Sequence, residues 1–168
     1  PTRNPQTDQP ALTGGYEEIE TTTAISRIRR AAIARTTVRG RTYETLSLAY
    51  QREAFEVGAL TDTTTLVLPG ASWTRYWGPD RIYTRFGARL TLDLRGASEE
   101  LGSDVSMLQA RLGGKLVLPV AMSGRLLTRF DVGTTRTDEF ERVPASLRFF
   151  AGGDVSVRGY RYSSLGPT

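Results

Sequence analysis

Few residues in this chain are equipped for covalent chemistry, and their spacing argues against it. Histidine and cysteine are both absent, which removes imidazole bases, thiolate nucleophiles, disulfides and every zinc site built on those ligands. The adjacent carboxylates Glu17-Glu18 and Glu99-Glu100 would diverge on a strand, so neither pair suits acid/base work. Gly113-Gly114-Lys115 lacks the upstream glycine and the following hydroxyl residue of a phosphate loop. A protein with no enzymatic activity and no cofactor or metal is therefore expected. The most pointed stretch is Arg148-Phe149-Phe150-Ala151-Gly152-Gly153-Asp154-Val155-Ser156-Val157-Arg158-Gly159-Tyr160. It sets two aromatics and a diglycine turn ahead of one guanidinium, Arg158, fenced by Val157, Gly159 and Tyr160. Such a segment is too glycine-rich for a helix and too apolar for an exposed loop, which predicts a long loop that buries itself. Taken singly these residues are ordinary: a lone loop arginine is usually solvated, and Gly-Gly-Asp makes a tight turn.

The elements that would position this loop alternate with period two. From Arg85 to Arg95, Phe86, Ala88, Leu90, Leu92 and Leu94 share one face, while Arg89, Thr91, Asp93 and Arg95 take the other. A second strand is predicted over Val105 to Leu118, with Leu108, Ala110, Leu112, Leu116 and Leu118 opposite Gln109, Arg111 and Lys115. After the Pro119 to Gly124 turn, Leu126, Phe130 and Val132 oppose Arg129, Asp131 and Thr135. Upstream, Tyr43 to Phe55 places Leu46, Leu48 and Tyr50 together, and Thr64 to Trp77 reads as a strand in which Pro69-Gly70 predicts a bulge. Tyr16 to Glu20 and Ile25 to Arg35 suggest one more hairpin, with the alternation slipping at Arg29-Arg30. Residues 1–13 carry three prolines and are expected to form a loop.

Composition bounds the class. Of the 168 residues, 39% are apolar and 24% charged, enough to cover one face of every strand and no more. No stretch approaches the ~20 apolar residues of a spanning helix, which leaves a soluble β-protein or a transmembrane β-barrel. Strands of a soluble sandwich run to about five or six residues, whereas these reach the ~9–11 that a tilted strand needs to cross a bilayer. Tyr76, Trp77 and Tyr83 beside the Gly78-Pro79-Asp80 turn fit an aromatic girdle. The net charge of +4 is modest and the arginines are dispersed, so nucleic acid is not an expected partner. The chain opens at Pro1 and stops soon after the loop, and is expected to be an excerpt.

With Arg148 to Gly153, Val157 to Tyr160 and Ser164-Leu165-Gly166-Pro167 in view, the chain resembles the outer-membrane assembly-factor superfamily, also called bacterial surface antigens. The order and spacing are those of the family's long sixth extracellular loop, and the wording is closest to the translocation and assembly module branch. Weaker echoes are Leu66-Leu68-Pro69-Gly70, Leu94 to Ser98 and Ser103-Asp104. The resemblance implies an all-β antiparallel meander of about six strands from a sixteen-strand transmembrane barrel. Residues 14–138 would supply barrel strands and residues 139–168 the inward-folding loop. It implies location in the outer membrane of a Gram-negative-type bacterium. The implied partners are the lipid bilayer, unfolded outer-membrane or autotransporter clients, and an inner-membrane partner subunit. In the family the motif arginine pairs with inner-wall carboxylates; here that arginine is Arg158, with Gly159 allowing close approach and Tyr160 packing beside it. A guanidinium drawn out of water needs such a fork. Its principal carboxylates are expected on strands beyond this chain, with Asp93 and Asp131 as secondary lumen carboxylates. The competing readings are a two-partner secretion transporter, a passive porin and a soluble β-sandwich binding module.

Overall fold

The computed structural model describes residues 8–20, 24–57, 60–78, 86–120 and 124–149. Seven strands follow one another in chain order: β1 (Asp8–Glu20), β2 (Ala24–Arg39), β3 (Thr42–Val57), β4 (Leu60–Trp77), β5 (Gly87–Ala97), β6 (Met107–Val120) and β7 (Gly124–Thr137). Each pairs antiparallel with its neighbours in a single sheet of order β1 to β7, an up-and-down meander. Among the described residues the only other regular elements are three short 3-10 turns. The strands run from 11 to 18 residues, longer than the sandwich class and long enough to cross a bilayer at a tilt.

The antiparallel meander of about six strands is borne out, with seven in the sheet. The first strand starts at Asp8, inside the stretch expected to be a loop. Gln9, Pro10 and Ala11 pair with Thr36, Arg35 and Ala34. Pro10 is accommodated because β1 is an edge strand here, and a proline whose nitrogen faces the open side breaks no ladder bond. At Arg29-Arg30 the register is unbroken: the two side chains take opposite faces, and what looked like a slip is an arginine on each.

The expected bulge at Pro69 is also absent, since β3 and β4 pair residue for residue from Val57↔Leu60 to Thr42↔Arg75. The reason lies on the other edge of β4. Pairing with β5 covers only Gly70 to Trp77. Below that, the amides of Thr65 and Val67 point away from β3 and donate to Asp104 Oδ2 at 2.6 Å and Ser103 Oγ at 2.9 Å. Pro69 lies on the same edge, two residues on, where the β5 ladder has ended and no N–H is required. The β5–β6 connection thus folds back along the β4 edge and satisfies it, which a buried edge demands.

The two faces of the sheet differ in kind. One is bare and carries a continuous run of exposed apolar side chains, including Leu12, Ile33, Leu46, Leu48, Tyr50, Leu90, Leu92, Leu112, Leu116, Phe130 and Val132. Cross-strand register aligns them, as in Leu12↔Ile33, Ile33↔Leu48 and Leu92↔Leu112. On this face the ring of Phe130 lies over the bare backbone of Gly114. The opposite face presents Arg30, Gln51, Glu53, Ser72, Asp93, Arg95, Gln109, Arg111 and Asp131. At one end it is covered by residues 139–149, and there the buried cluster sits: Leu66, Leu68, Ala97, Val105, Met107, Val143 and Leu147. An apolar area of this size on an uncovered face is far beyond what water tolerates, so the bare face requires an apolar neighbour.

Candidate functional site

The candidate site is the seat where the segment after β7 lies on the polar face. Two 3-10 turns, Phe140–Arg142 and Ala145–Leu147, bring the chain back across the sheet. Pro144, between them, is fully buried. Val143 and Leu147 enter the cluster around Leu66 and Met107 at 0% and 1% exposure, a degree of burial that matches a protein core. Inward-facing Phe55, Leu66, Leu68 and Met107 form this greasy seat.

Polar contacts fix the register of the segment on the wall. The carboxylate of Glu53, fully buried, accepts from the Ser146 amide at 3.0 Å and from the Ser146 hydroxyl. Gln51 Nε2 donates to the same carboxylate at 2.7 Å, and the Ser26 hydroxyl completes the set. Each carboxylate oxygen thus receives two donors. The side chain meets a donor at every hydrogen bond it makes here. Gln51 also donates to Ser146 Oγ at 2.9 Å, while its own oxygen takes the Arg30 guanidinium at 2.5 and 3.1 Å. Farther along, Gln109 Nε2 donates to the Leu147 carbonyl at 2.8 Å and to Thr135 Oγ1 at 2.7 Å, and Arg95 Nε reaches Gln109 Oε1 at 2.5 Å. Thr64 Oγ1 donates to the Arg142 carbonyl at 3.0 Å.

Arg148 closes the segment on itself. Its guanidinium donates to the carbonyls of Val143 at 2.9 Å and Glu141 at 2.8 Å, and lies over the rings of Phe140 and Phe55 at 5.0 and 5.8 Å. Burial pushes its pKa below the usual arginine value, opposed by the charges of Glu141 and Glu53, yet an arginine so placed remains a cation. The ring of Phe149 packs on Gly133 of β7, where any Cβ would collide with it. The missing Cβ makes room for the ring, and the backbone angle there is ordinary.

Of the residues singled out from sequence, Phe149 takes this anchoring position. Phe150, Gly152, Gly153, Asp154, Val157, Arg158, Gly159 and Tyr160 lie outside the described residues. Asp93 and Asp131 both lie on the polar side, and both have local partners. Asp131 is forked by Arg111, with Nε at 2.8 Å, and Asp93 accepts from Ser72 Oγ at 2.5 Å. Beside Asp93 opens a hollow of about 250 Å³ lined also by Ser47, Gly70, Ser72, Arg95 and Arg111. Tyr76, expected in an aromatic girdle, instead faces the polar side and meets Tyr43 edge-on at 5.7 Å; a step of one residue along a strand reverses the face. Trp77 does lie on the bare face, under Arg75, and Trp73 joins it there, donating Nε1–H to Glu44 at 2.9 Å. Tyr83 is outside the described residues.

A sheet apolar on its bare side and polar on the other, with the segment after the last strand folded onto the polar side, has the two-faced character of a barrel wall. A family model described as the Omp85 superfamily domain matches residues 23–168. The chain belongs to the Omp85 superfamily. That membership places it among outer-membrane proteins of an assembly and secretion family, whose members are assembly and transport factors and not enzymes. The bare face, carrying the apolar run, suits an apolar neighbour, and the face carrying Glu53 suits a polar one. What sequence reasoning missed is the seat. Glu53, Gln51 and Gln109 were not singled out as candidates, because a polar residue on an alternating strand looks like any other until the loop lands on it, and Arg148 stood out only as the first residue of the loop motif.

Proposed function

We propose that this chain is part of a sixteen-strand barrel of the translocation and assembly module type, which helps insert or secrete β-barrel and autotransporter proteins. The observation that carries the reading is the seating of residues 139–149 on the polar face, immediately before the motif that bears Arg158. A loop base buried to core density supports an inward-folded loop that braces the wall. In this reading the seat delivers Arg158 to inner-wall carboxylates contributed by strands beyond this chain. Losing one partner of such a desolvated pair costs about 3–5 kcal/mol, enough to free the loop. Client strands pair with an opened barrel seam by β-augmentation while the braced loop supports the wall. The partners are the outer-membrane lipid, unfolded outer-membrane or autotransporter clients, and an inner-membrane subunit of the module; no cofactor enters.

The test is client assembly by the full-length protein in vesicles, with Arg158→Ala beside the wild type. Loss of client insertion together with altered single-channel gating is the expected result. Unchanged insertion with altered conductance alone would overturn the reading in favour of a porin.

A further inference from the structure

On the bare face, one row of the sheet runs Tyr16, Arg29, Arg52, Thr65, each directly opposite the next across β1 to β4. Arg29 and Arg52 are therefore a cross-strand pair of like charge, and both are exposed. Directly opposed like charges destabilise a sheet unless an anion lies between them. Carboxylates stand nearby but are otherwise placed. Glu18, diagonal to Arg29, is bonded to Arg27 at 3.0 Å, and Glu56 lies two rows farther from the apolar band, opposite Ile25. Among the described residues neither Arg29 nor Arg52 has an ion pair or a side-chain hydrogen bond.

The row lies at the edge of the apolar band. Next along the strands come Ala31 and Tyr50, then Ile33 and Leu48, with Tyr50, Ile33 and Leu48 half exposed on the bare face. At the other margin of the same strands stand Glu44 and Trp73. Two unpaired guanidiniums at the boundary between a lipid-facing band and a polar rim have one complementary ligand within reach: an anionic headgroup whose acyl chains already lie on the band. Two forks of N–H donors suit phosphate oxygens better than a single carboxylate.

We propose that Arg29 and Arg52 form a clip for the phosphate of a lipid headgroup at the rim of the barrel wall, with Tyr16 flanking it. The proposal rests on the bare face meeting lipid. Spin labels at Leu92 and Leu112, far from the clip, report that premise separately. The experiment is native mass spectrometry of the full-length protein released from phosphatidylcholine nanodiscs containing lipid A, or lipid A stripped of its phosphates. Retention of the phosphorylated form is expected to fall about fivefold for Arg52→Gln and about thirtyfold for Arg29→Gln/Arg52→Gln, at about 1 kcal/mol per arginine near a charged lipid surface. Arg27→Gln, which removes the already paired arginine, is expected to leave retention within about twofold. Arg29→Lys/Arg52→Lys, which keeps the charge but removes the forks, is expected to fall between the wild type and the double glutamine variant. Folding of each variant is checked by its heat-dependent gel mobility; should the double glutamine variant fail it, Arg52→Gln alone decides. Equal retention of the dephosphorylated lipid would overturn the proposal, as would wild-type retention by the glutamine variants. Full displacement by inorganic phosphate would overturn the lipid as the occupant and leave a simple anion site.

Discussion

Glu53 is the residue on which the loop base turns. Its carboxylate meets donors only, two to each oxygen, contributed by β2, by its own strand and by the Ser146 turn. Glu53→Gln replaces one acceptor with an amide that must face those donors. It is expected to lower stability by about 1–3 kcal/mol, the cost of a buried polar group left mismatched, and to expose residues 139–149 to protease in the full-length barrel. Protection equal to wild type would show that the apolar seat alone holds the segment. Gly133 offers a second handle on the same contact. Gly133→Ala drives a Cβ into the Phe149 ring, so the ring must move; Gly133→Ala/Phe149→Leu restores room and is expected to recover protection that the single variant loses. Recovery distinguishes the lost space from a change in the strand itself.

The elements explain why a proline is harmless in one strand position and ruinous next door. Along β4, alternate amides face β3 and the opposite edge, and Pro69 falls on the edge where β5 has ended. Pro69→Ala is therefore expected to change the unfolding midpoint little, within about 0.5 kcal/mol, whereas Leu68→Pro removes a ladder bond to β3 and costs about 3 kcal/mol or more. Equal effects of the two would contradict the assignment of edges. The β5–β6 connection is part of the same arrangement, since Asp104 accepts from Thr65 and donates its own amide to the Thr65 carbonyl at 2.8 Å. Asp104→Ala strands the Thr65 amide and is expected to open the β4 edge to hydrogen exchange ahead of the β3–β4 ladder, which amide exchange by mass spectrometry resolves.

At the scale of the molecule, the two faces demand two solvents. Nitroxide labels placed through Leu92→Cys and Leu112→Cys in the reconstituted protein are expected to be quenched by oxygen dissolved in lipid, and labels at Thr91→Cys and Lys115→Cys by a water-soluble nickel chelate. The reverse pattern would turn the wall inside out and remove the membrane reading. The outer strands β1 and β7 each have one partner in the sheet. A seven-stranded piece with two raw edges and an apolar face is expected to associate in water unless the neighbouring strands of the barrel or a detergent cover it.

Much of this was legible along the chain. Period two over long segments determined the strands, their order in a meander and which of Leu90, Leu92, Asp93, Arg111 and Asp131 share a side, because a strand's side chains alternate whatever surrounds it. The loop motif carried the family, since its residues are a local string. The edges of the sheet were harder: the β1 start at Asp8 and the smooth passage through Pro69 depend on which side of a strand lacks a partner, and no local pattern contains that. Tyr76 misled for a similar reason, as proximity to a turn does not say which face a ring takes. The seat was decided by tertiary structure alone. Glu53 and Ser146 stand 93 positions apart, and Gln109 and Leu147 stand 38 apart. A carboxylate on a strand acquires its role only when the chain returns and sets donors around it, and that return is driven by apolar burial summed over Leu66, Met107, Val143 and Leu147, a property of the folded sheet and of no single segment.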